Sequence, residues 1–370
     1  MQYADFAQPA SPGRSSSGRG RKVIGIVAVA AAVIAGLALI RATDARNDAR
    51  TAAAQPAAQP LAADPLQSYA NAAPQNAAAI AAAHKAFPAE LPAVASGPVA
   101  QVRITLKDRV VQIAPGVKYE AWGFDGQAPG PVIHVRQGQR VHVTLTNAGM
   151  MPHSIDFHAA RIAPNLAFSD VMPGKSKSFT FTASDPGVFM YHCGTTPVLA
   201  HIANGMYGAI VVDPATPLPH ADRSYVLVAS EWYLNSSGLD TPAVLSMQKA
   251  QAVRPDWVTW NGYAGQYVTH PLEAMPGETV RFYVVDAGPS MNTAFHVVGT
   301  LLDRAWVNGD MTQYERNVQT ALVPAGGGGV FDVKIDRPGL YPFVNHSFAS
   351  ADMGQTGVLR VGHVAGTMSH

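Results

Sequence analysis

From Ala100 to about Val361, apolar and polar residues alternate in short runs. QVRITLKD, VIHVRQ and RVHVTLTN carry Val, Ile and Thr at period two, and Gly/Pro turns separate such runs. Successive side chains on a strand point to opposite faces, so each run predicts a strand with one buried face. Many short strands in series predict an all-β chain built as a sandwich. Little of the region reads as a long helix; Thr241–Ala252 is the best candidate.

The pattern then repeats. RQGQRVHVTLTNAG (Arg136–Gly149) resembles MPGETVRFYVVDAG (Met275–Gly288), and a Phe-His pair follows each, Phe157-His158 and Phe295-His296. PGVFMYHC (Pro186–Cys193) resembles PGLYPFVNHS (Pro338–Ser347), which is two residues longer, and GMYGAIVV (Gly205–Val212) resembles MGQTGVLRV (Met353–Val361). Four matching segments in one order predict two tandem copies of a single β-sandwich, over 99–214 and 215–370. This alignment sets Cys193 against Ser347, His192 against His346 and His158 against His296.

The N-terminal part has a different texture. Residues 1–22 are basic, with Arg14, Arg19, Arg21 and Lys22. An unbroken run of 18 apolar residues follows, Val23–Ile40, closed by Arg41. A positive flank before such a run predicts an export signal or a single membrane helix. With no small-x-small cleavage site after it, the reading is an anchor that keeps the N-terminus cytoplasmic and the rest on the periplasmic side. Residues 41–98 are dominated by Ala, Pro and Gln, which is linker composition, with a short helix expected within Asn76–Phe87 and His84 at the surface.

Composition narrows the chemistry. The chain of 370 residues is 48% hydrophobic and 14% charged, with net charge +1, so it carries no electrostatic footprint for nucleic acid. A single Cys excludes an intrachain disulfide, Cys-pair zinc sites and haem attachment through CxxCH.

That one Cys sits in YHCGTTPVLAHIANGM (Tyr191–Met206). Cys193, His201 and Met206 fall in one loop, and His153 in MPHSIDFHAA lies on an earlier strand. A thiolate, two imidazoles and a thioether are a soft, mixed donor set that suits a blue copper. The competing reading of Cys193 is an inert buried thiol. Strand parity sorts the other residues. His192 points away from Cys193, and His158, five residues after His153, points away from it, whereas Asp156 and His158 share a face. His158 and His192 therefore make a partial second metal site on the order of 10 Å from the first. A third imidazole is needed there, and His346 or His296 could supply it. His134 and His142 read as structural, and His220, His270, His363 and His370 as surface residues.

These segments resemble copper-containing nitrite reductase, a two-domain cupredoxin enzyme. The resemblance covers about Val102–Val361 and rests on APGPVIHVRQGQRVHVTLTN, HSIDFH, YHC with the following His and Met, FHVVG and NHSF. It implies two tandem cupredoxin-like Greek-key sandwiches. It also implies a type 1 copper on His153, Cys193, His201 and Met206, and a type 2 copper on His158, His192 and His346. In the family the last ligand comes from a neighbouring subunit, which implies a homotrimer. Asp156 and His296 match the family's catalytic pair. The implied reaction is one-electron reduction of nitrite to nitric oxide, with electrons from a separate cupredoxin or cytochrome c. The loop from Cys193 to His201 is short for the family, and the N-terminal 98 residues lie outside the resemblance. Two rival readings exist. A laccase-like two-domain oxidase would need HxH pairs, which the β region lacks. A single-copper electron carrier would leave His158, His192 and His346 unexplained.

Overall fold

The alternating runs fold into two sandwiches of the same plan. A computed structural model of the chain describes residues 64–307 and 311–366. The expected basic region, the apolar run 23–40 and residues 41–63 lie outside the described residues, as does His370. Among the described residues no helix is long and apolar enough to cross a membrane.

The first sandwich contains β1 (Val99–Ala114), β2 (Val117–Phe124), β3 (Ile133–Arg136), β4 (Arg140–Asn147), β5 (Asp156–Phe157), β6 (Ser176–Thr182), β7 (Gly187–His192) and β8 (Tyr207–Asp213). Its sheets run β2-β1-β4-β6 and β3-β8-β7-β5. The second contains β9 (Arg223–Trp232), β10 (Trp257–Trp260), β11 (Leu272–Ala274), β12 (Thr279–Asp286), β13 (Thr293–Val297), β14 (Arg304–Val307), β15 (Ala321–Val323), β16 (Gly328–Lys334), β17 (Gly339–Asn345) and β18 (Thr356–Val361). Its sheets run β10-β9-β12-β16-β14 and β11-β18-β17-β13-β15. Removing β14 and β15 leaves the strand order of the first sandwich, so the sequence repeat is a repeat of topology. The parallel pairs match as well: β1 with β4 and β3 with β8, then β9 with β12 and β11 with β18.

Register corrects the alignment made from sequence. His192 pairs with Tyr207 on β7–β8, and Val344 with Thr356 on β17–β18. Counting from Gly187 and Gly339, His192 matches Val344 and Cys193 matches Asn345, not His346 and Ser347. Asp156 pairs with His192, and His296 with Val344, so His296 matches Asp156, not His158. The strands up to Cys193 and Asn345 are equally long; His346 and Ser347 begin a loop that closes at Gln355, three residues sooner than the loop from Cys193 to Met206.

Burial explains where alternation fails. One apolar core fills each sandwich, and a third lies between them, formed by Val188, Met190, Ala209 and Val211 against Val226, Val228, Val285 and Val330. Strands β8 and β9 therefore have both faces covered and read as nearly continuous apolar runs, YGAIVV and YVLVAS. Close approach also recurs in both copies. A Cβ on Gly208 would fall 2.3 Å from the Tyr191 ring, and one on Gly357 2.2 Å from the Phe343 ring. Overpacking of this kind costs about 1–3 kcal/mol.

Residues 64–98 are bonded along the second sandwich and reach the first, which their composition did not suggest. Leu91 N–H donates to Ser224 O, Val226 N–H to Ala89 O, and Ala95 N–H to His134 O. Tyr69 N–H donates to Asp256, whose carboxylate is held by the buried Lys249 at 2.7 Å, and that ammonium lies 4.4 Å from the Tyr69 ring centroid. The helix Ala77–Ala83 forms where one was expected, and His84 after it stacks on Tyr263 at 3.7 Å. His270 likewise leaves the surface to bond Ala81 O. The helix expected over Thr241–Ala252 is confined to Met247–Gln251.

Candidate metal centres

The first centre is built where the β7–β8 ladder opens. Cys193 N–H donates to Met206 O at 3.1 Å, so the Cys and the Met are the next pair beyond His192–Tyr207. The loop between them holds the helix Val198–Ala203, with His201 in its last turn. His153 is held from the side by two backbone bonds to Val171. Cys193 and Met206 are fully buried, and His153 and His201 are 1% and 2% exposed. His201 Nδ1 lies 3.3 Å from Cys193 Sγ and 3.1 Å from His153 Nδ1. Burial pulls both imidazoles down to about 4, with Asp170 opposing, so both are neutral donors near pH 7. Three soft or borderline donor atoms within 4.8 Å of one another fit a metal bound at about 2.0–2.3 Å from each. Ser154 N–H donates to the sulfur at 3.3 Å, and Trp122 lies edge-on to His201.

The second cluster lies on the other face of the same peptide. β5 pairs with β7, which sets Asp156 beside His192, and His158 N–H donates to Met190 O. His158 Nε2 and His192 Nε2 are 3.1 Å apart. His158 Nδ1 donates to Gly326 O, and His192 Nδ1 to Cys193 O, both at 2.9 Å. Carbonyls accept only, so each Nδ1 carries the proton and each Nε2 presents a lone pair. Two lone pairs aimed at one place are satisfied by a cation. Asp156 Oδ2 lies 4.0 Å from His192 Nε2. Burial is the main cause that lowers the His192 pKa, and its neighbour His158 adds to it.

His346 and His296 are not in this cluster. They form a pair on the second sandwich, with ring centroids 5.3 Å apart. His346 N–H donates to Ala294 O, and its exposed ring packs on Phe348. His296 Nδ1 donates to Gln319 O at 2.6 Å. Of the remaining histidines, His134 Nδ1 bonds Pro92 O while its Nε2 lies 2.9 Å from Asp213 Oδ2, and His142 bonds Thr180, as structural residues do. Sequence reasoning missed the Gly326 carbonyl, signalled only by the run AGGGG, and missed Ser154, Thr195 and Asp170 around the cysteine.

The chain is similar to known copper proteins. A family model described as multicopper oxidase matches residues 105–217. The copper-containing nitrite reductase of Neisseria gonorrhoeae is 38% identical over 278 residues, 73% of this chain and 71% of that protein. The copper nitrite reductase structure from Nitrosomonas europaea superposes with a TM-score of 0.67 at 36% identity, covering 72% of this chain and 95% of its own. A multicopper oxidase crystal structure superposes with a TM-score of 0.64 at 25% identity, covering 71% of this chain and 89% of its own.

Proposed function

The chain belongs to the copper-containing nitrite reductases, and we propose that it reduces nitrite to nitric oxide using one copper on His153, Cys193, His201 and Met206 and a second on His158, His192 and His346. The observation that carries this is the pair of Nε2 lone pairs 3.1 Å apart, set back to back with the buried Cys193 on adjacent residues. Bound copper supplies the one-electron couple; each nitrite takes one electron and two protons and leaves as nitric oxide and water.

The chain's own residues do the rest. The His192–Cys193 peptide bond is the covalent path between the two centres. The carbonyls of Gly326 and Cys193 hold the two imidazoles in the Nε2-donor tautomer. Asp156, partly exposed beside His192, is the carboxylate placed to pass on one proton. His296 keeps Nδ1–H on Gln319, so its Nε2 is the atom that exchanges the other. His346 and His296 lie apart from the His158–His192 cluster within one chain. The reading therefore has them reach His158 and His192 of a neighbouring copy, in a homotrimer. The lone Cys leaves no second blue copper and no CxxCH haem site, so electrons come from a separate cupredoxin or cytochrome c. The basic-then-apolar N-terminus supports a membrane anchor and a periplasmic location, as expected in denitrification. The oxidase reading has weaker support, from a likeness at 25% identity against 38% for a nitrite reductase.

The test is copper content and electron paramagnetic resonance, with and without nitrite. Two coppers per chain, with only the wide-splitting signal responding to nitrite, is the expected result. One narrow-splitting copper and no response would make the protein an electron carrier.

A further inference from the structure

Asn345 is the counterpart of Cys193 in the second sandwich, and the reaction gives it no part. It ends β17, one residue before His346, and is 1% exposed. An amide side chain has two acceptor lone pairs on its oxygen and two protons on its nitrogen. All four are used here. Oδ1 accepts from the N–H groups of Ala294 and Ser347, both at 3.0 Å. Nδ2 donates to Gln355 Oε1 at 2.8 Å and to Asn292 O at 3.3 Å.

These partners lie on the segments that carry the histidines of the second copper. The bond from Ser347 N–H closes an Asx turn, in which a side chain accepts from the backbone two residues on. His346 is the residue inside that turn. Its own N–H donates to Ala294 O at 2.7 Å, so its main chain is held on both sides. Its ring is exposed, against Phe348 and His296, so its direction depends on the backbone beneath it. Ala294 lies two residues before His296 on β13. Asn292 Oδ1 accepts from Ala325 N–H at 3.0 Å, and the next residue, Gly326, offers the carbonyl that takes the His158 Nδ1 proton. In the first sandwich the residue after the thiol is Gly194, which has no side chain to aim.

We propose that Asn345 is a positioning residue for the second copper: its amide oxygen fixes the turn that aims His346, from the position where the first sandwich keeps its thiol. A fully satisfied buried network rigidifies what it touches. Groups that orient a metal's ligands govern its affinity as well as its geometry. The proposal rests on the reading that His346 binds that copper.

The experiment measures the affinity and paramagnetic resonance of the second copper on the full chain, with the visible band of the Cys193 copper as the check that the first sandwich is folded and loaded. Asn345→Ala is expected to weaken the second copper roughly tenfold and to alter its wide splitting, with the band unchanged. Asn345→Asp keeps an oxygen for both N–H groups and should restore most of the affinity. Gln355→Leu removes a partner of Nδ2 and of Thr293 but leaves the Oδ1 bonds, so it should lower the melting temperature without weakening the copper. Should the Ala variant fail to fold, Asn345→Ser takes its place, with a smaller loss in the same direction, because a hydroxyl makes the same turn more weakly. Wild-type affinity in the variant that folds, no recovery in Asn345→Asp, or an equal loss in Gln355→Leu overturns the positioning role. A wide-splitting signal that survives His346→Ala overturns the ligand reading itself, and the proposal with it.

Discussion

The two sandwiches solve one packing problem with opposite chemistry. His153, Cys193, His201 and Met206 in the first match Thr293, Asn345, Ser350 and Gln355 in the second by strand register and loop bonds. Met206 N–H donates to His201 O, as Gln355 N–H donates to Ser350 O. All eight are buried. In the second copy the amides satisfy one another: Asn345 Nδ2 donates to Gln355 Oε1 at 2.8 Å, and Gln355 Nε2 to Thr293 Oγ1 at 2.9 Å. In the first, the donors face inward with no such closed network. A buried polar site must be satisfied. One copy does so internally, and the other leaves lone pairs and a thiol for a metal. The proposed catalytic pair is also split across the repeat, since Asp156 and His296 occupy matching positions on β5 and β13.

Breaking the metal side should have the largest effect. Cys193→Ala is expected to abolish the visible band and donor-driven turnover while the copper at His158 and His192 remains; absorption and paramagnetic resonance spectra check this, and a surviving band would place the sulfur ligand elsewhere. His346→Ala is expected to halve the copper per chain and remove turnover without bleaching the band, as read by metal analysis. Loss of both coppers together would argue that the two sites are not separate.

On the amide side the readout is stability. Asn345→Ala strands the Ala294 and Ser347 N–H groups and Gln355 Oε1. It should cost about 2–3 kcal/mol by chemical denaturation, the scale of a buried unsatisfied group. A change under half that would mean water replaces the amide.

The effect that is smallest per pH unit sharpens the comparison by titration. Asn147 and Asp286 match: each side-chain oxygen accepts from the N–H two residues on, in Gly149 and Gly288. Burial raises the Asp286 carboxyl from 3.8 to about 7, so at mildly acidic pH it is a neutral counterpart of the amide. A folded-state value above the unfolded one stabilises fully below about pH 4, and that stability is lost as pH rises through 7. The slope is at most about 1.4 kcal/mol per pH unit. Asp286→Asn should flatten it in thermal melts between pH 4 and 7, leaving the part due to Glu231, also raised by burial. An unchanged slope would assign the pH dependence to other groups.

Much of this protein was determined locally. Period-two alternation, the four repeated segments and the spacing of Cys193, His201 and Met206 are set along one or two strands, where geometry follows from residue count. Parity alone put His158 and His192 on one face and Cys193 on the other, because a β-strand has a strict period of two. Tertiary structure decided what depends on long-range pairing. Register set Asn345, not Ser347, at the position matching the cysteine, because the two strands have equal length and here the copies differ only in the loop that follows. The Ala/Pro stretch from residue 64 gained its place through backbone bonds to distant strands, which composition does not encode. The Thr195 hydroxyl lies between Asp170 and Ser154, on three separate loops that only folding brings together.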